Sequence, residues 1–405
     1  MLAGLEGVLL NLSAFVVVLG IVVFVHEFGH FQAARWGKVA IDTFSIGFGK
    51  TLALWKDKHG VNWRVAALPL GGYVKFEDDT DPMSTGPAES YEDPAAFAEA
   101  RRRGLFHAMP LSTRAFVVSA GPLTNFIFST IAFALIAMIV GRNVIAVETL
   151  PPRVDIIAPE SPAALGGLHA GDVITSMDGQ PVASFGRLKE IVGANPGKTA
   201  AFGVRRADNA LTLRIKIGDQ TAPDMTGVDH RTGFLGIERK SLPSEIKIVR
   251  PNPIEAIGGG ASQVWGIISS TGAYVGNIFS GRASAAHIAG PAGIFAASGA
   301  VAKSAISGDD PVGEKLGRLV LFLLAWAAQL SVAVGIVNLL PVPILDGGHL
   351  LFYGIEAVRG RPLGPKAQEI GYRAGFALVA SLFLFATWND LQRFKLLEFL
   401  GGMLS

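Results

Sequence analysis

Residues 7–31 read GVLLNLSAFVVVLGIVVFVHEFGHF, an apolar run that ends in two histidines and one glutamate. The run is long enough to cross a bilayer, which takes about 20 apolar residues. Ionisable groups inside a span cost several kcal/mol, and they are kept there for a function. The stretch therefore predicts a membrane helix with a reactive group of side chains near one end.

The composition of the whole chain agrees with a membrane protein. Of its 405 residues, 50% are hydrophobic and 17% are charged, whereas soluble domains average about 25% charged residues. The net charge of +2 gives no support for nucleic-acid binding. The chain has no cysteine, so a metal would need His, Asp or Glu ligands. The start lacks the basic region of a cleavable signal peptide, and we expect the first span to be retained.

Four uncharged runs predict an α-helical polytopic membrane protein with four transmembrane helices. They are residues 7–25, 115–141, 319–345 and the shorter 374–388. Lys and Arg residues follow the first run, precede the second and lie between the third and fourth. Basic residues near span ends favour the cytoplasm. Both termini and the segment 142–318 are therefore expected outside it.

His26-Glu27-Phe28-Gly29-His30 is an H-E-x-x-H motif. On a helix, residues i and i+4 share a face about 6 Å apart, so both imidazoles can bind one ion. Glu27 lies beside them and can act as a general base without being a ligand. The motif predicts a zinc site.

Two histidines leave a tetrahedral catalytic site one protein ligand short. The strongest candidate for the third ligand is Asp346, in the stretch NLLPVPILDGG at residues 338–348. Pro341 and Pro343 cannot continue a helix, and irregular backbone at membrane depth is tolerated only when it is buried in protein or lines a cavity. His349 is a rival ligand or a neighbour of the site.

A shared metal also constrains the topology. His26 and Asp346 face the same side of the membrane only if a single span lies between their own spans. Residues 256–281 are uncharged and long enough to cross, but a crossing there would separate the two by about 30 Å of hydrocarbon. We expect this stretch to form helices that lie on the outer face of the membrane that the spans cross.

HEFGH on the first span together with NLLPVPILDGG on the third resembles the site-2 protease family of intramembrane zinc metalloproteases, of the type of the bacterial regulator of sigma-E protease. Further matches lie along most of the chain: LPLGGYVK at residues 68–75, AGPLTN at 120–125, GPAGI at 290–294 and WNDLQR at 388–393. Better-known members of that type carry two PDZ domains, whereas the insert here has room for one.

The resemblance implies roles for individual residues. His26, His30 and Asp346 would bind Zn²⁺, and Glu27 would activate the water. Asn338 would hydrogen-bond the substrate backbone. The remaining residues implied to contact substrate are Gly71, Gly72 and Tyr73 of a membrane-associated β-hairpin, with Pro341 and Pro343. The two glycines also fit an ordinary turn.

Residues 153–217 predict a small extracytoplasmic α/β domain, with short apolar strands, turn signals and a capped helix at Ser161-Pro162. Its pattern resembles a PDZ domain, and a later stretch resembles the carboxylate-binding loop of such domains: Gly233, Phe234, Leu235, Gly236 and Ile237. PDZ domains bind peptide ends by adding a strand to a sheet edge. A spacer domain without a ligand is the alternative.

These observations predict an order of segments along the chain. They are a first span (1–36), a cytoplasmic loop (37–114) with the hairpin at about 61–78, a second span (115–141), a periplasmic PDZ-like domain (142–240), interfacial helices (241–318), a third span (319–356), a cytoplasmic loop (357–372), and a fourth span with a C-terminal tail (373–405).

The resemblance predicts an enzyme of the bacterial inner membrane with its active site toward the cytoplasm. It would hydrolyse peptide bonds within the transmembrane segments of single-span proteins, such as anti-sigma factors or signal-peptide remnants. Its partners would be these substrates, peptide C-termini at the PDZ-like domain and the lipid bilayer. Two other functions remain open from the residues alone: a membrane zinc transporter or sensor, and a catalytically inactive PDZ scaffold.

Overall fold

The computed structural model describes residues 2–77, 93–144, 150–224, 226–240, 242, 245 and 247–393. The predicted C-terminal tail beyond Arg393 and part of the predicted first cytoplasmic loop lie outside these ranges. The chain divides into two compact units, which are treated separately below. The first comprises Met1–Ile136, Pro253–Ile268 and Ala286–Ser405, and the second comprises Ala137–Asn252 and Ser269–Ala285.

The helices are α1 (Leu2–Trp36), α2 (Pro94–Arg103), α3 (Leu111–Val140), α4 (Pro162–Leu165), α5 (Phe185–Gly193), α6 (Pro253–Phe279), α7 (Pro291–Ile306), α8 (Val312–Asn338), α9 (Asp346–Arg359) and α10 (Pro365–Arg393). The strands are β1 (Ile41–Lys56), β2 (Asn62–Phe76), β3 (Arg142–Val144), β4 (Ile156–Ile157), β5 (Val173–Met177), β6 (Gln180–Pro181), β7 (Thr199–Arg206), β8 (Asn209–Lys216), β9 (Gly218–Pro223), β10 (Asp229–Phe234), β11 (Ile237–Glu238) and β12 (Lys247–Val249).

Among the described residues, four helices are long and apolar enough to cross a bilayer, as predicted. They are Glu6–Trp36, Leu111–Val140, Val312–Asn338 and Pro365–Arg393. The third of them stops at Asn338, while the sequence extended that span to residue 356. The difference arises because Pro341 and Pro343 follow, and proline lacks the amide proton that would continue a helix. The chain then passes through a short loop into the separate helix α9.

The first span packs against α7 and α8 at points where the facing residue is small. Val18 and Val22 of α1 are buried with Ala327 of α8. A Cβ atom added at Gly299 of α7 would meet the side chain of Asn11, so α7 lies directly against the first part of α1. Close contact of this kind is how helices associate in lipid, where there is no hydrophobic drive between them.

The hairpin β1–β2 follows α1 and begins at Ile41, upstream of the predicted start near residue 61. Its turn is built by Asp57, whose carboxylate accepts hydrogen bonds from the backbone N–H of His59 and Val61 at 2.8 and 3.0 Å. Phe44 of β1 is fully buried against Phe31 of α1. This aromatic contact fixes the hairpin next to the end of α1.

In the second unit, β5 to β8 form a four-stranded sheet in the order β6-β5-β7-β8. Together with α4, α5 and the short strands around them, it makes a small domain that is called the α/β module below. Ile174, Phe202 and Ile215 are fully buried in its core. Ser161 caps α4 by accepting a hydrogen bond from the N–H of Ala164 at 3.3 Å, so the predicted capped helix is confirmed.

Candidate metal centre

The two histidines of the H-E-x-x-H motif lie one turn apart on α1 and point to the same place. Their Nε2 atoms are 3.3 Å apart. Both side chains are nearly buried, with 11% and 13% of their surface exposed. The helical spacing alone produces this geometry, as the sequence predicts.

Asp346 reaches the histidines because α9 begins immediately after the proline-containing loop. A Cβ atom added at Gly347 would lie 2.3–2.4 Å from the carbonyl oxygens of Leu340 and Leu339. Only glycine permits this approach of α9 to the end of α8. As a result, Oδ2 of Asp346 lies 3.3 Å from Nε2 of His26 and 3.4 Å from Nε2 of His30.

The three atoms form a nearly equilateral triangle that fits a tetrahedral zinc ion. Zinc bonds to nitrogen and oxygen are about 2.0–2.2 Å long, so two ligand atoms of a tetrahedron stand about 3.3–3.5 Å apart. The measured separations of 3.3, 3.3 and 3.4 Å agree with this value. Oδ2 of Asp346 is also buried and accepts no hydrogen bond. A buried carboxylate oxygen without a donor is costly unless a cation binds it.

Among the described residues, the one group of at least three His, Asp, Glu or Cys side chains with this spacing is His26, His30 and Asp346. His349, the rival ligand, is outside the group, and its ring packs against Tyr372 with centroids 5.8 Å apart. The geometry therefore favours Asp346 over His349 as the third ligand.

Helix α3 supports both histidines from behind. Nδ1 of His30 lies 2.9 Å from the backbone oxygen of Val117, and Nδ1 of His26 lies 3.1 Å from Nδ2 of Asn125. Asn125 was not among the residues assigned a role from the sequence. An amide side chain within an apolar span is the sequence signal that points to it.

Glycines allow α1 and α3 to approach at this point. A Cβ atom at Gly121 would lie 2.3 Å from Nε2 of His30 and 2.9 Å from Cε1 of His26. A Cβ atom at Gly29 would lie 2.5 Å from the backbone oxygen of Ala120. Any larger residue at these positions would push the two helices apart and displace the imidazoles.

Glu27 lies between the histidine cluster and the hairpin. It is within electrostatic range of His26, His30 and Asp346. A Cβ atom at Gly72 of β2 would lie 2.7 Å from Cγ of Glu27. The structure thus brings the predicted base and one predicted hairpin residue into direct contact.

Of the other two hairpin residues, Tyr73 lies on the same paired segment of β2 as Gly72, and Gly71 directly precedes that segment. Residues 72–75 pair with residues 43–46 of β1, and no second strand pairs with residues 72–75 within the described part of the chain. Tyr73 accepts a hydrogen bond from Nη1 of Arg64 at 2.8 Å, and a Cβ atom at Gly71 would meet the ring of Phe48. The segment is therefore the edge of a sheet. From the sequence, an ordinary turn was the alternative for Gly71 and Gly72.

Three predicted substrate-contacting residues lie on the path from α8 to α9. Asn338 is the last residue of α8 and is half-buried. Pro341 and Pro343 lie in the loop that follows, and Pro343 is in contact range of Gly375 of α10. This path carries the chain directly to Asp346.

The loop from Gly233 to Ile237 belongs to the α/β module. Gly236 has a φ of +72°, a conformation that favours glycine. Beside the loop is a groove of about 700 Å³ whose apolar lining includes Leu188 and Val192 of α5 and Phe234, Leu235 and Ile237 of the loop. The predicted carboxylate-binding loop therefore lies along one side of a groove, with α5 along the other.

The sequence model of peptidase family M50 matches residues 14–382. Among curated relatives, a Rhizobium meliloti protein named as a zinc metalloprotease is 38% identical over 96% of this chain and 98% of its own length. Metalloprotease MmpA of Caulobacter vibrioides is 37% identical over 98% of this chain and 99% of its own. The regulator of sigma-E protease RseP of Salmonella typhimurium is 29% identical over 95% and 99%.

Among solved structures, the PDZ domain of an SdrC-like protein from Listeria monocytogenes is 29% identical. The match covers 21% of this chain and 82% of that domain, with a TM-score of 0.18. The family match spans most of the chain, and the curated relatives match it over nearly their full lengths. This chain therefore belongs to peptidase family M50 and is a zinc metalloprotease of the membrane.

Proposed function

We propose that this enzyme cleaves peptide bonds within the transmembrane segments of single-span membrane proteins. The observation that carries the proposal is the triangle formed by His26, His30 and Asp346, because two of its corners lie on a membrane span. Substrates of the anti-sigma factor type and remnants of signal peptides fit this activity, since both are single apolar helices.

His26, His30 and Asp346 are proposed to hold zinc. When bound, zinc supplies a Lewis acid that polarises a peptide carbonyl and lowers the pKa of water. Glu27 takes the proton of the attacking water and delivers it to the departing amide nitrogen. Its place beside all three ligands, without being one of them, supports this role.

A peptide bond in a helix is already hydrogen-bonded, so the substrate must unwind before it is cut. The edge of β2 at residues 72–75 is proposed to hold the unwound strand by backbone hydrogen bonds. The contact between Gly72 and Glu27 supports this, because a strand on that edge runs beside the base. Asn338 is proposed to bind the substrate backbone, with Pro341 and Pro343 lining its path.

The enzyme is proposed to lie in the bacterial inner membrane with both termini outside the cytoplasm and the metal site toward it. Asp390, near the end of α10, accepts hydrogen bonds from the N–H groups of Gly290 and Gly293 at the start of α7. Gly299 of the same helix touches Asn11, near the start of α1. The two contacts are about 14 Å apart along α7. This supports a placement of the start of α1 and the end of α10 on the same side of the membrane.

The α/β module is proposed to be a PDZ-like domain on the outer side that binds peptide C-termini in its groove. The loop from Gly233 to Ile237 would offer backbone N–H groups to a terminal carboxylate, and the apolar lining beside it would receive the last side chain.

The proposal is tested by cleavage of a single-span substrate in proteoliposomes, with zinc content measured on the same samples. Glu27→Gln should keep stoichiometric zinc and lose cleavage by about 10²–10⁴-fold, which is the usual contribution of a general base. Glu6→Gln, on the exposed start of α1, is the matched control and should cleave normally.

Two results would favour the other functions. Zinc uptake into liposomes without peptide cleavage would indicate a transporter. Absence of zinc from the wild type, with intact binding of peptide C-termini, would indicate an inactive scaffold.

A further inference from the structure

A buried polar network lies behind His26, inside the membrane helices. Asn125 and Ser129 of α3 and Ser331 of α8 are all fully buried. Oδ1 of Asn125 accepts a hydrogen bond from Oγ of Ser331 at 3.1 Å, and Nδ2 of Asn125 faces Nδ1 of His26 at 3.1 Å. Burial of an amide among apolar spans is costly unless each polar atom is satisfied.

The position of one proton decides whether His26 can bind a metal. A neutral imidazole carries a single N–H, and a metal binds the nitrogen without it. In His30 the requirement is met, because Nδ1 donates to the backbone oxygen of Val117 and Nε2 is left with a free lone pair. For His26 the facing atom is an amide nitrogen, which can only donate. In that orientation Nδ1 would have to accept, whereas metal binding through Nε2 requires the proton on Nδ1.

A half-turn of the Asn125 amide removes this conflict. Rotation by 180° exchanges Oδ1 and Nδ2, so that Oδ1 faces His26 and Nδ2 faces Ser331. The hydroxyl of Ser331 can accept from Nδ2, and it can donate to the backbone oxygen of Asn125, which lies 3.3 Å away. Ser129 continues to donate to the same backbone oxygen at 2.8 Å. In this orientation Oδ1 accepts from His26, Nδ2 donates to Ser331, and Ser331 donates to the backbone oxygen of Asn125.

We propose that Asn125 is a positioning residue whose Oδ1, rather than Nδ2, faces His26 when metal is bound, so that Oδ1 accepts the Nδ1–H of His26 and Ser331 holds the amide in that orientation. The inference rests on the proposed role of His26 as a ligand. The amide oxygen fixes the tautomer and the ring orientation of His26 and raises the basicity of Nε2. Loss of such a partner weakens metal binding by about 10–100-fold.

The test compares Asn125→Asp with Asn125→Leu by chelator competition for zinc in the full-length protein, with the absorption spectrum of the Co²⁺-loaded protein as a second readout. Aspartate restores an acceptor to Nδ1–H, whereas leucine has a similar volume and no acceptor. Asn125→Asp should bind zinc within about threefold of the wild type, and Asn125→Leu about 10–100-fold more weakly with an altered Co²⁺ spectrum. Equal weakening in both variants, or wild-type affinity in Asn125→Leu, would overturn the proposal.

Ser331→Ala gives a second test that leaves α1 and α3 unchanged. It removes the partner that holds the turned amide and should weaken zinc binding about threefold to tenfold. No change in affinity would contradict the role of Ser331. His26→Ala separates this inference from the proposed function. If zinc binding is the same in His26→Ala and in the wild type, the assignment of His26 as a metal ligand is wrong.

Discussion

Nε2 of His26 lies 3.3 Å from Oδ2 of Asp346, although the two residues come from opposite ends of the chain. This contact joins the first span to the helix that follows the third. The contact can form in a membrane protein only if His26 and Asp346 lie near the same side of the membrane. The metal site therefore requires a particular membrane topology, and variants of the proposed ligands test both.

Replacement of Asp346 by Asn should remove zinc. Asparagine keeps the shape of the side chain but loses the negative charge that offsets the ion in a buried site. We expect at least 100-fold weaker zinc binding, measured by chelator competition, with the helix content by circular dichroism unchanged. His59→Ala, at the exposed tip of the hairpin, is the control and should bind zinc normally. Full zinc occupancy in Asp346→Asn would show that another group is the third ligand.

Gly121→Ala adds one methyl group and should displace the side chains of the metal site. Its Cβ would lie 2.3 Å from Nε2 of His30, so an imidazole or helix α3 must move. We expect a loss of activity of at least 10-fold, because a misplacement of about 1 Å can cost 10²-fold in rate. Gly20→Ala on α1 is the matched control, since nothing lies within 4 Å of its added Cβ. The contact is unimportant if both variants cleave substrate at the same rate.

Gly72→Ala should affect catalysis while leaving the metal in place. The added Cβ would lie 2.7 Å from Cγ of Glu27 and from the backbone oxygen of Ser45, so the base and the sheet edge are both displaced. We expect zinc content as in the wild type and cleavage reduced by at least 10-fold. Leu52→Ala on the exposed part of β1 serves as control. Unchanged kcat and KM in Gly72→Ala would argue against the edge as the substrate site.

The ion pair between Arg114 and Glu356 should position α9. Nη2 of Arg114 lies 2.5 Å from Oε1 of Glu356, with 12% and 17% of the two side chains exposed. The guanidinium also lies over the ring of Tyr353, 4.9 Å from its centroid. Removal of one partner leaves a buried charge, so Glu356→Gln should destabilise the protein by about 3 kcal/mol, measured by thermal unfolding in detergent.

A double variant separates charge from packing at this pair. Arg114→Met with Glu356→Leu removes both charges and should recover most of the stability lost in Glu356→Gln. If the stability lost in the double variant equals the sum of the losses in its two single variants, the two residues are not coupled.

The α/β module should lose stability in acid through Asp172. This carboxylate is 1% exposed and accepts hydrogen bonds at 2.8 Å from Arg206, which lower its pKa below the ordinary 3.8. A carboxylate with a lowered pKa in the folded state contributes stability that is present above its ordinary pKa of 3.8 and is lost as the pH falls through the lowered pKa. Asp172→Asn should cost about 1–3 kcal/mol at neutral pH and remove this acid dependence.

Hydrogen exchange of the module in the intact chain measures this effect. Asp219→Asn, which breaks the exposed pair with Arg231, is the control and should change stability by less than about 0.5 kcal/mol. An acid dependence of exchange that persists in Asp172→Asn would assign it to another group.

Much of the site is readable from the sequence because it depends on local spacing. The interval from His26 to His30 sets the two imidazoles on one helix face, and the scarcity of acids near the spans makes Asp346 the strongest candidate for the third ligand, with His349 as its rival. The four apolar helices follow from run length alone. These features need no knowledge of how distant segments pack.

The remaining features depend on packing between distant segments. Asn125 lies in a span whose sequence does not show which face meets α1, so its contact with His26 appears only in three dimensions. The early start of the hairpin at Ile41 was missed because Phe44 and its neighbours gain their stability from Phe31 of α1 rather than from a local pattern. Helix α9 was joined to the third span because the chain remains apolar across the loop.

The central claim is that Glu27 serves hydrolysis at a metal held by His26, His30 and Asp346 within the membrane. The most direct measurement is cleavage of a single-span substrate in proteoliposomes by wild type and Glu27→Gln, with zinc quantified on the same samples. The proposal predicts one zinc per chain in both and cleavage only in the wild type. Cleavage by zinc-loaded Glu27→Gln at the wild-type rate would contradict it.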